Sequence, residues 1–319
     1  MTGVGDIDRL VAQEANKPEV KEGEALIKVT YCGVNHLDLL IREGKRQKRE
    51  GFPHVLGSEI VGETEAGIEV AVYPWTFCGE CASCKAEEEN LCDNINVAGT
   101  IGRTRDGGYA EYVAVPQMNL EPLHDGLESE EAAAITLAGT TAIHLVNKAD
   151  VEKGSTVLVT GATGGVGTIV VQLLKAQHDC EVIAATNDPE KKDQLLGLGV
   201  SQVVDTENFP KGLSYVIDIV GGDVLSAGIA ALGKRGTLVH CATSREEMAQ
   251  FNPQPFFAGE KNIFGSNGGT RKDLATILDL ANQGVIKPVI DEIFPLSRAA
   301  EAQQKLESRK AFGKILLKP

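Results

Sequence analysis

The segment Thr156-Val-Leu-Val-Thr-Gly-Ala-Thr-Gly-Gly-Val-Gly167 decides the fold of this 319-residue chain. Its first five residues have the pattern of a short buried strand, and a helix with apolar side chains at helical spacing follows from residue 165. Between them, Gly164 lets the backbone approach a pyrophosphate, and Gly167 lets the helix pack close to the strand. The N–H groups that begin the helix would face that anion. We therefore predict a dinucleotide-binding turn rather than a simple tight turn, although Ala162 replaces the first glycine of the usual fingerprint.

Three regions of the chain differ in their pattern. Strands alternate with helices over residues 155–265, which predicts a parallel, doubly wound sheet. Residues 24–115 are strand-like and glycine-rich, which predicts a small, irregular β-barrel domain. Two amphipathic helices and a final strand at 314–317 follow, and a terminal strand needs a sheet to join. We predict an α/β protein with three segments: a first domain at 1–137, a dinucleotide-binding domain at 138–265, and a return to the first domain at 266–319.

The end of the second strand in the doubly wound region bears on the choice of cofactor. NAD-dependent enzymes usually carry an acidic residue there, which binds the ribose 2′-hydroxyl. Here the strand ends at the neutral Thr186, and Lys191 follows shortly after. These residues suit the 2′-phosphate of NADPH, whereas Asp188 favours NADH. We predict NADPH, leave NADH open, and assign these cofactor-binding residues: Thr163, Gly164, Gly165, Val166, Thr186, Asn187, Lys191, Val220, Cys241 and Ala242.

Four of the seven cysteines are clustered as Cys78-x2-Cys81-x2-Cys84-x7-Cys92. Thiolates are soft ligands, and four of them close a tetrahedral zinc site that has no open position. An iron–sulfur run fits less well, because the last gap is longer and Asp93 stands where that run has proline. We predict one structural zinc ion in a lobe at about residues 78–92. The scattered remaining cysteines are a poor disulfide framework and indicate a reducing compartment.

Charge and composition exclude several classes of function. The formal net charge is −14, and an acidic surface repels phosphate backbones, so we do not expect nucleic-acid binding. The sequence has no recognisable targeting segment, and its apolar stretches are far shorter than the ~20 residues that span a bilayer. We expect a cytoplasmic protein that acts on a small molecule and does not bind membranes.

These features together resemble the medium-chain dehydrogenase/reductase family over nearly the whole chain. Besides the glycine turn and the cysteine lobe, the resemblance rests on five segments: CGVNHLD at 32–38, VLGSEIVG at 55–62, GGYAEYV at 107–113, LAGTTA at 137–142 and GKILL at 313–317. It implies a GroES-like β-barrel catalytic domain, a Rossmann domain for the cofactor, and a C-terminal return to the barrel. It also implies a homodimer or homotetramer.

The chain departs from the zinc alcohol dehydrogenases of this family at the catalytic metal. Where those enzymes carry a cysteine, a histidine and a third ligand, this chain has Asn35, Ser58 and Leu137. A catalytic zinc needs three protein ligands and an open position, so we expect this zinc to be absent. His36 and Glu59 remain as alternative ligands. The zinc-free branch of the family includes quinone oxidoreductases and reductases of enones and enoyl thioesters, which the glycine turn and Asn35 resemble.

In the absence of zinc, hydrogen-bond donors must hold the charge that develops on a carbonyl oxygen. We predict that NADPH delivers hydride to the β-carbon of an activated alkene, with Asn35, Ser58 and Thr141 as catalytic residues and the proton donor left open. A basic run at 45–49 could receive the phosphates of an acyl-CoA, although a solvated loop is the simpler interpretation. The alternatives are an alcohol or ketone dehydrogenase of the same family and a non-catalytic NADPH-binding protein.

Overall fold

A computed structural model describes residues 1–46, 51–95, 99–242, 244 and 248–319. The chain divides into two compact units, the first made of residues 1–138 and 270–319 and the second of residues 139–269. The boundaries that we predicted, after residues 137 and 265, lie close to these. The basic run at 45–49 extends into residues 47–50, so most of it lies outside the described residues.

The secondary structure follows in chain order. The strands are β1 (Glu24–Val34), β2 (Glu59–Thr64), β3 (Glu69–Val72), β4 (Tyr112–Pro116), β5 (Leu120–Pro122), β6 (Thr156–Thr160), β7 (Glu181–Ala185), β8 (Gln202–Val204), β9 (Leu213–Asp218), β10 (Leu232–His240), β11 (Asn262–Gly265), β12 (Ile290–Pro295) and β13 (Lys314–Lys318). The helices are α1 (His36–Arg42), α2 (Ala82–Lys85), α3 (Ser129–Ala133), α4 (Ala138–Ala149), α5 (Gly165–His178), α6 (Lys192–Gly197), α7 (Gly222–Ala231), α8 (Pro253–Ala258), α9 (Arg271–Asn282) and α10 (Ala299–Glu307). Short 3-10 turns lie at Ile7–Arg9, Glu89–Leu91, Gln117–Asn119, Pro189–Lys191 and Leu296–Arg298.

The first unit is built on a seven-stranded sheet with neighbours in the order β12-β13-β1-β2-β3-β5, and β4 also pairs with β1. Among the strand pairs of this sheet that the structure describes, β12–β13 is parallel and the others are antiparallel. One apolar cluster, which includes Ile27, Ile60 and Ile315, packs against this sheet. The last strand, β13, pairs antiparallel with β1 and sets Leu317 opposite Cys32. This pairing confirms that the C-terminal strand joins the sheet of the first domain.

The second unit is a doubly wound, fully parallel sheet in the order β11-β10-β9-β6-β7-β8. The strand order reverses between β6 and β9, which is the switch point where ligands bind outside the carboxyl ends of such sheets. Apolar residues of several strands, including Leu158, Val216 and Leu238, form its core. The fold class that we predicted is thereby confirmed. Among the described residues, no helix is both long and apolar enough to cross a bilayer.

Candidate functional sites

The glycine turn after β6 has the geometry of a phosphate cradle. Gly161 has a φ of +66°, which glycine adopts without strain. A Cβ on Gly167 would overlap the Gly161 carbonyl oxygen, so the close packing of α5 on β6 requires glycine there. No side chain among the described residues caps the start of α5, where Gly164 is the N-cap residue. The N–H groups of the first turn are therefore available to a pyrophosphate, and these residues fit a dinucleotide.

At the end of β7, two of the predicted cofactor residues bind neighbouring side chains. The Asn187 side chain donates to Thr206 Oγ1 at 2.8 Å and accepts from the Thr206 N–H at 2.8 Å. Lys191 is buried, and its Nζ lies 3.7 Å from Asp188 Oδ2. Asp188 Oδ1 also accepts from the Glu190 N–H at 3.0 Å and caps the turn that follows. The one acidic group at this strand end therefore faces its own helix turn and a lysine.

Three strand-end side chains of the second unit form a hydrogen-bonded chain that the sequence analysis missed. Thr160, the last residue of β6, donates to Asp218 Oδ1 at 2.5 Å. Asp218, the last residue of β9, is fully buried, and its Oδ2 lies 2.8 Å from His240 Nδ1. His240 ends β10 directly opposite Asp218 in register. Each residue alone reads as part of a strand, and only the parallel sheet brings the three carboxyl ends together.

The four clustered cysteines have the spacing of a tetrahedral metal site. Their sulfur atoms all lie within 4.8 Å of one another, and this is the only such group of three or more possible ligands in the part of the chain that the structure describes. Individual sulfur–sulfur distances are 3.6 Å for Cys78–Cys92 and 3.9 Å for both Cys78–Cys84 and Cys81–Cys92. Four thiolates at about 2.3 Å from one zinc ion would lie roughly 3.8 Å apart. The residues therefore fit one structural zinc.

The surroundings of the lobe favour metal binding and join the lobe to the rest of the first unit. Hydrogen bonds from the Asn94 side chain and from backbone N–H groups lower the pKa of the Cys78 thiol to about 6, which favours the thiolate form that binds zinc. The buried Glu89 accepts a hydrogen bond from the Arg271 N–H at 2.6 Å, at the start of α9. The guanidinium of Arg271 also lies over the Phe77 ring, 6.0 Å from its centroid.

A buried ion pair occupies the region where the family's catalytic zinc would be expected from the sequence. Glu59 is fully buried and Lys314 is 4% exposed, and Lys314 Nζ lies 2.6 Å from Glu59 Oε2. The same ammonium donates to Asn35 Oδ1 at 2.8 Å and to the Val34 carbonyl at 3.0 Å. The other Glu59 oxygen accepts the N–H groups of residues 137 and 138, both at 2.8 Å. Every donor of the ammonium and both carboxylate oxygens therefore have partners.

The two polar residues that replace zinc ligands are also engaged. The Asn35 amide nitrogen donates to Glu59 Oε2 at 2.9 Å and to the Gly33 carbonyl at 3.3 Å. Ser58 is fully buried and donates to the Ile101 carbonyl at 2.7 Å. These side chains offer no histidine or thiolate ligand, and a lysine ammonium fills the space beside Glu59. The residues present therefore do not fit a catalytic zinc.

A second buried carboxyl lies on the first turn of α1. Asp38 Oδ2 accepts from the Asn35 N–H at 2.9 Å and from the Tyr109 hydroxyl at 3.1 Å. Burial raises the pKa of this carboxyl to about 6, although these hydrogen bonds and Lys314 partly oppose the rise. The carboxyl thus completes the capping box of α1, which begins directly after Asn35. It holds in place the same backbone that presents the Asn35 amide.

The remaining site residues that we predicted lie in the second unit or on the surface of the first. Thr141 is 9% exposed on α4, and Val220 and Cys241 follow β9 and β10. Burial and the charge of Asp218 raise the pKa of the Cys241 thiol to about 12, so this cysteine is not a thiolate near neutral pH. His36 has an exposed side chain, and no metal-binding group within the described residues includes it.

Comparisons with known proteins agree with this architecture. Residues 21–125 match the family described as the alcohol dehydrogenase GroES-like domain, and residues 196–317 match the zinc-binding dehydrogenase family. An NAD-dependent alcohol dehydrogenase of Saccharolobus solfataricus is 33% identical over 97% of this chain and 96% of its own length. A thermostable alcohol dehydrogenase from Pyrobaculum aerophilum, solved with cobalt and zinc bound, superposes with a TM-score of 0.92 at 29% identity and covers 100% of this chain and 98% of that one.

One relative with a different reaction is also similar. The chloroplastic NADPH-dependent alkenal/one oxidoreductase of Arabidopsis thaliana is 28% identical over 95% of this chain and 74% of its own length. Relatives of this chain thus include dehydrogenases of alcohols and a reductase of alkenals and enones.

Proposed function

We propose that this chain, which belongs to the zinc-type medium-chain alcohol dehydrogenase family and is an NAD(P)H-dependent dehydrogenase/reductase, reduces activated alkenes without a catalytic metal. The substrate class is an enone, a quinone or an enoyl thioester. The observation that carries the proposal is that Asn35 and Ser58, which stand where zinc ligands would be, offer no thiolate or imidazole and are held in hydrogen bonds to Glu59 and to the Ile101 carbonyl.

Carbonyl reduction and alkene reduction require different groups in the active site. A metal ion polarises a carbonyl as a Lewis acid, and this chain lacks the ligand set for one at Asn35, Ser58 and Leu137. Hydride addition to the β-carbon of a conjugated alkene instead leaves an enolate, whose charge hydrogen-bond donors can hold. The nicotinamide supplies the hydride when it is bound. The chain must supply the donors and exclude water.

Asn35, Ser58 and Thr141 remain our candidates for these donors. The half-buried Asn35 is the most favourable of the three, because its 3.3 Å bond to the Gly33 carbonyl is the weaker of its two and can be exchanged for a bond to an enolate oxygen. Lys314 keeps the amide oriented by holding its oxygen. Ser58 would have to give up its 2.7 Å bond to the Ile101 carbonyl before it could bind substrate.

The product formed from a single substrate tests the proposal. The purified zinc-loaded enzyme is given a conjugated enone with NADPH and, separately, with NADH, and the product is identified by mass spectrometry and NMR. We expect a saturated ketone, together with a metal content of one zinc per chain. An allylic alcohol, or two zinc ions per chain, would refute the zinc-free alkene mechanism. Two variants test the amide: Asn35→Ala removes it, and Asn35→Asp keeps the size of the side chain but replaces the NH2 donor. If the amide holds the enolate, both variants should have a lower kcat with little change in KM.

The second candidate is an alcohol or ketone dehydrogenase, which the similarity to archaeal alcohol dehydrogenases favours. An allylic alcohol product in the same assay, or oxidation of simple secondary alcohols with NAD⁺, would select it. Because both activities use the same cofactor and scaffold, the distinction depends on the site around Lys314. Cofactor binding without turnover of any alkene, ketone or alcohol would instead favour a non-catalytic NADPH-binding protein.

We also propose NADPH as the preferred cofactor, with NADH as the alternative that the names of several relatives favour. The support is the arrangement at the end of β7, where Asp188 caps a helix turn and pairs with Lys191 instead of standing free for a ribose 2′-hydroxyl. The kcat/KM values for NADPH and NADH decide between them. Lys191→Ala should lower the NADPH value alone, and an equal loss for both cofactors would contradict the assignment.

Two further proposals concern assembly and location. Strand β11 forms one edge of the parallel sheet, and Phe264 on it and Phe257 on the preceding α8 are 43% and 69% exposed. An exposed apolar edge of this kind suits a subunit interface, and we propose a homodimer or homotetramer that light scattering can test. None of the seven cysteines is in a disulfide, which suits a reducing compartment such as the cytoplasm.

A further inference from the structure

The hydrogen-bonded chain of Thr160, Asp218 and His240 lies at the carboxyl edge of the second unit's sheet. It spans β6, β9 and β10, which are adjacent strands, and so it crosses the switch point between β6 and β9. Dinucleotides bind across this point, one mononucleotide half on each side. The topology of the sheet therefore places this polar cluster where ligands of such sheets bind.

Several hydrogen bonds hold Asp218 in place, and its carboxylate in turn orients the side chains beside it. Its Oδ1 accepts the Thr160 hydroxyl at 2.5 Å, and its Oδ2 accepts the Gly221 N–H at 2.9 Å as well as facing His240 Nδ1 at 2.8 Å. The Thr160 oxygen is in turn fixed by the Ile219 N–H at 3.2 Å. A fully buried carboxylate with these bonds cannot rotate without losing several of them.

The Asp218 carboxylate selects one tautomer of His240. A carboxylate facing Nδ1 requires a proton on that nitrogen, so the neutral imidazole has its lone pair on Nε2. The His240 side chain is 22% exposed, whereas Asp218 behind it is fully buried. The sheet does not require an oriented imidazole at a strand end, because apolar residues end β7, another strand of the same sheet, at this edge.

A buried polar group without a hydrogen-bond partner lies on the same edge. Ser266 directly follows β11, the strand beside β10, and its N–H donates to the His240 carbonyl at 2.8 Å. Its hydroxyl oxygen is buried and has no hydrogen-bond partner among the described residues. Buried hydroxyls without a partner are uncommon, and a bound ligand is one way to satisfy them.

We propose that His240, oriented by Asp218 and Thr160, binds a ribose hydroxyl of the nicotinamide half of the cofactor through Nε2. The glycine turn after β6 holds the pyrophosphate, and the end of β7 faces the adenosine ribose on one side of the switch point. The ends of β9 and β10 lie on the other side, which leaves the nicotinamide half to them. The inference rests on the use of a dinucleotide and is independent of whether the substrate is an alkene or a ketone.

Cofactor binding measured by calorimetry, without substrate, tests the proposal. His240→Asn keeps a donor near the position of Nδ1 for Asp218 but lacks an atom at the position of Nε2, and His240→Gln reverses this. Dissociation constants are measured for NADPH, NADH, ADP-ribose and 5′-AMP. One lost hydrogen bond corresponds to about a fivefold change in affinity.

We expect His240→Asn to weaken binding of ADP-ribose and of the better nicotinamide cofactor about fivefold and to leave 5′-AMP binding unchanged. His240→Gln should bind all ligands within about twofold of the original protein. Unchanged ADP-ribose affinity in His240→Asn would overturn the ribose contact. Equal weakening of 5′-AMP would show that the histidine acts only on the fold, and would also overturn the proposal. Failure of alkene reduction would leave these constants unaffected, so the two proposals are tested separately.

Discussion

Replacing Lys314 by methionine tests whether the ammonium is the cation that compensates Glu59. The substitution keeps the length and apolar stem of the side chain and removes only the charge and its three hydrogen bonds. The carboxylate of Glu59 would remain fully buried with no cation at 2.6 Å. Removing one partner of a buried ion pair typically costs about 3–5 kcal/mol, because the other charge is left uncompensated.

Denaturant unfolding of the zinc-loaded protein measures this cost. The single tryptophan, Trp75, lies in the first unit, so its fluorescence reports the unfolding of the unit that contains the pair. We expect the free energy of unfolding to fall by about 4 kcal/mol in Lys314→Met. The exposed Lys310→Met is the matched control and should change it by less than about 0.5 kcal/mol.

A double variant separates the charge from the packing. Glu59→Gln keeps an oxygen for the N–H groups of residues 137 and 138 and removes the negative charge. Combined with Lys314→Met, it should restore more than half of the lost stability, since no buried charge then lacks a partner. A cost below about 1 kcal/mol for Lys314→Met alone, or a double variant no more stable than the single, would refute the reasoning.

Three further predictions concern the metal lobe, a buried carboxyl and the cofactor turn. Cys78→Ser should reduce the zinc content from one ion per chain to none and lower the melting temperature, as atomic spectroscopy and calorimetry would reveal; retention of zinc would exclude this lobe as the site. Asp38 has a pKa of about 6 in the folded state, above its unfolded value, so its contribution to stability is present at low pH and is lost as the pH rises through 6. In Asp38→Asn that loss, about 3 kcal/mol between pH 4 and 7, should disappear from the unfolding free energy, and an unchanged pH profile would contradict it. Gly167→Ala would place a Cβ against the Gly161 carbonyl oxygen, so we expect at least tenfold weaker cofactor binding by fluorescence titration, with wild-type affinity as the contrary result.

The cysteine lobe and the position of the family's catalytic zinc differ in the ligands that they offer a metal ion. At the lobe, four cysteine sulfur atoms converge on one point, and hydrogen bonds lower the pKa of the Cys78 thiol, whereas burial raises that of Cys84. At the catalytic position, a lysine from the last strand reaches the glutamate that the family resemblance left as a possible ligand. Strand β13 brings Lys314 there by pairing with β1, so the return of the C-terminus to the first sheet also determines the local charge.

Local pattern was sufficient to predict many of the elements. Apolar spacing predicts strands at 156–160 and 181–185 and a helix at 271–282, and β6, β7 and α9 have these bounds, because the burial of each short segment follows its own pattern. The pattern also predicts helices that begin at residues 189 and 296, but the regular helices α6 and α10 begin three residues later. Residues 189–191 and 296–298 form 3-10 turns, and Asp188 caps the first of them, so the regular helix starts only after the turn.

The sequence by itself determined the doubly wound sheet, the glycine cradle and the cysteine lobe, because each depends on residues close together in the chain. The tertiary structure alone decided which groups meet from far apart. Lys314 pairs with Glu59 because β13 and β2 lie on either side of β1, and His240 pairs with Asp218 because β10 and β9 are adjacent. Ion pairing and hydrogen bonding act over a few ångströms of space and leave no periodic signal along the chain, so the sequence alone could not bring these groups together.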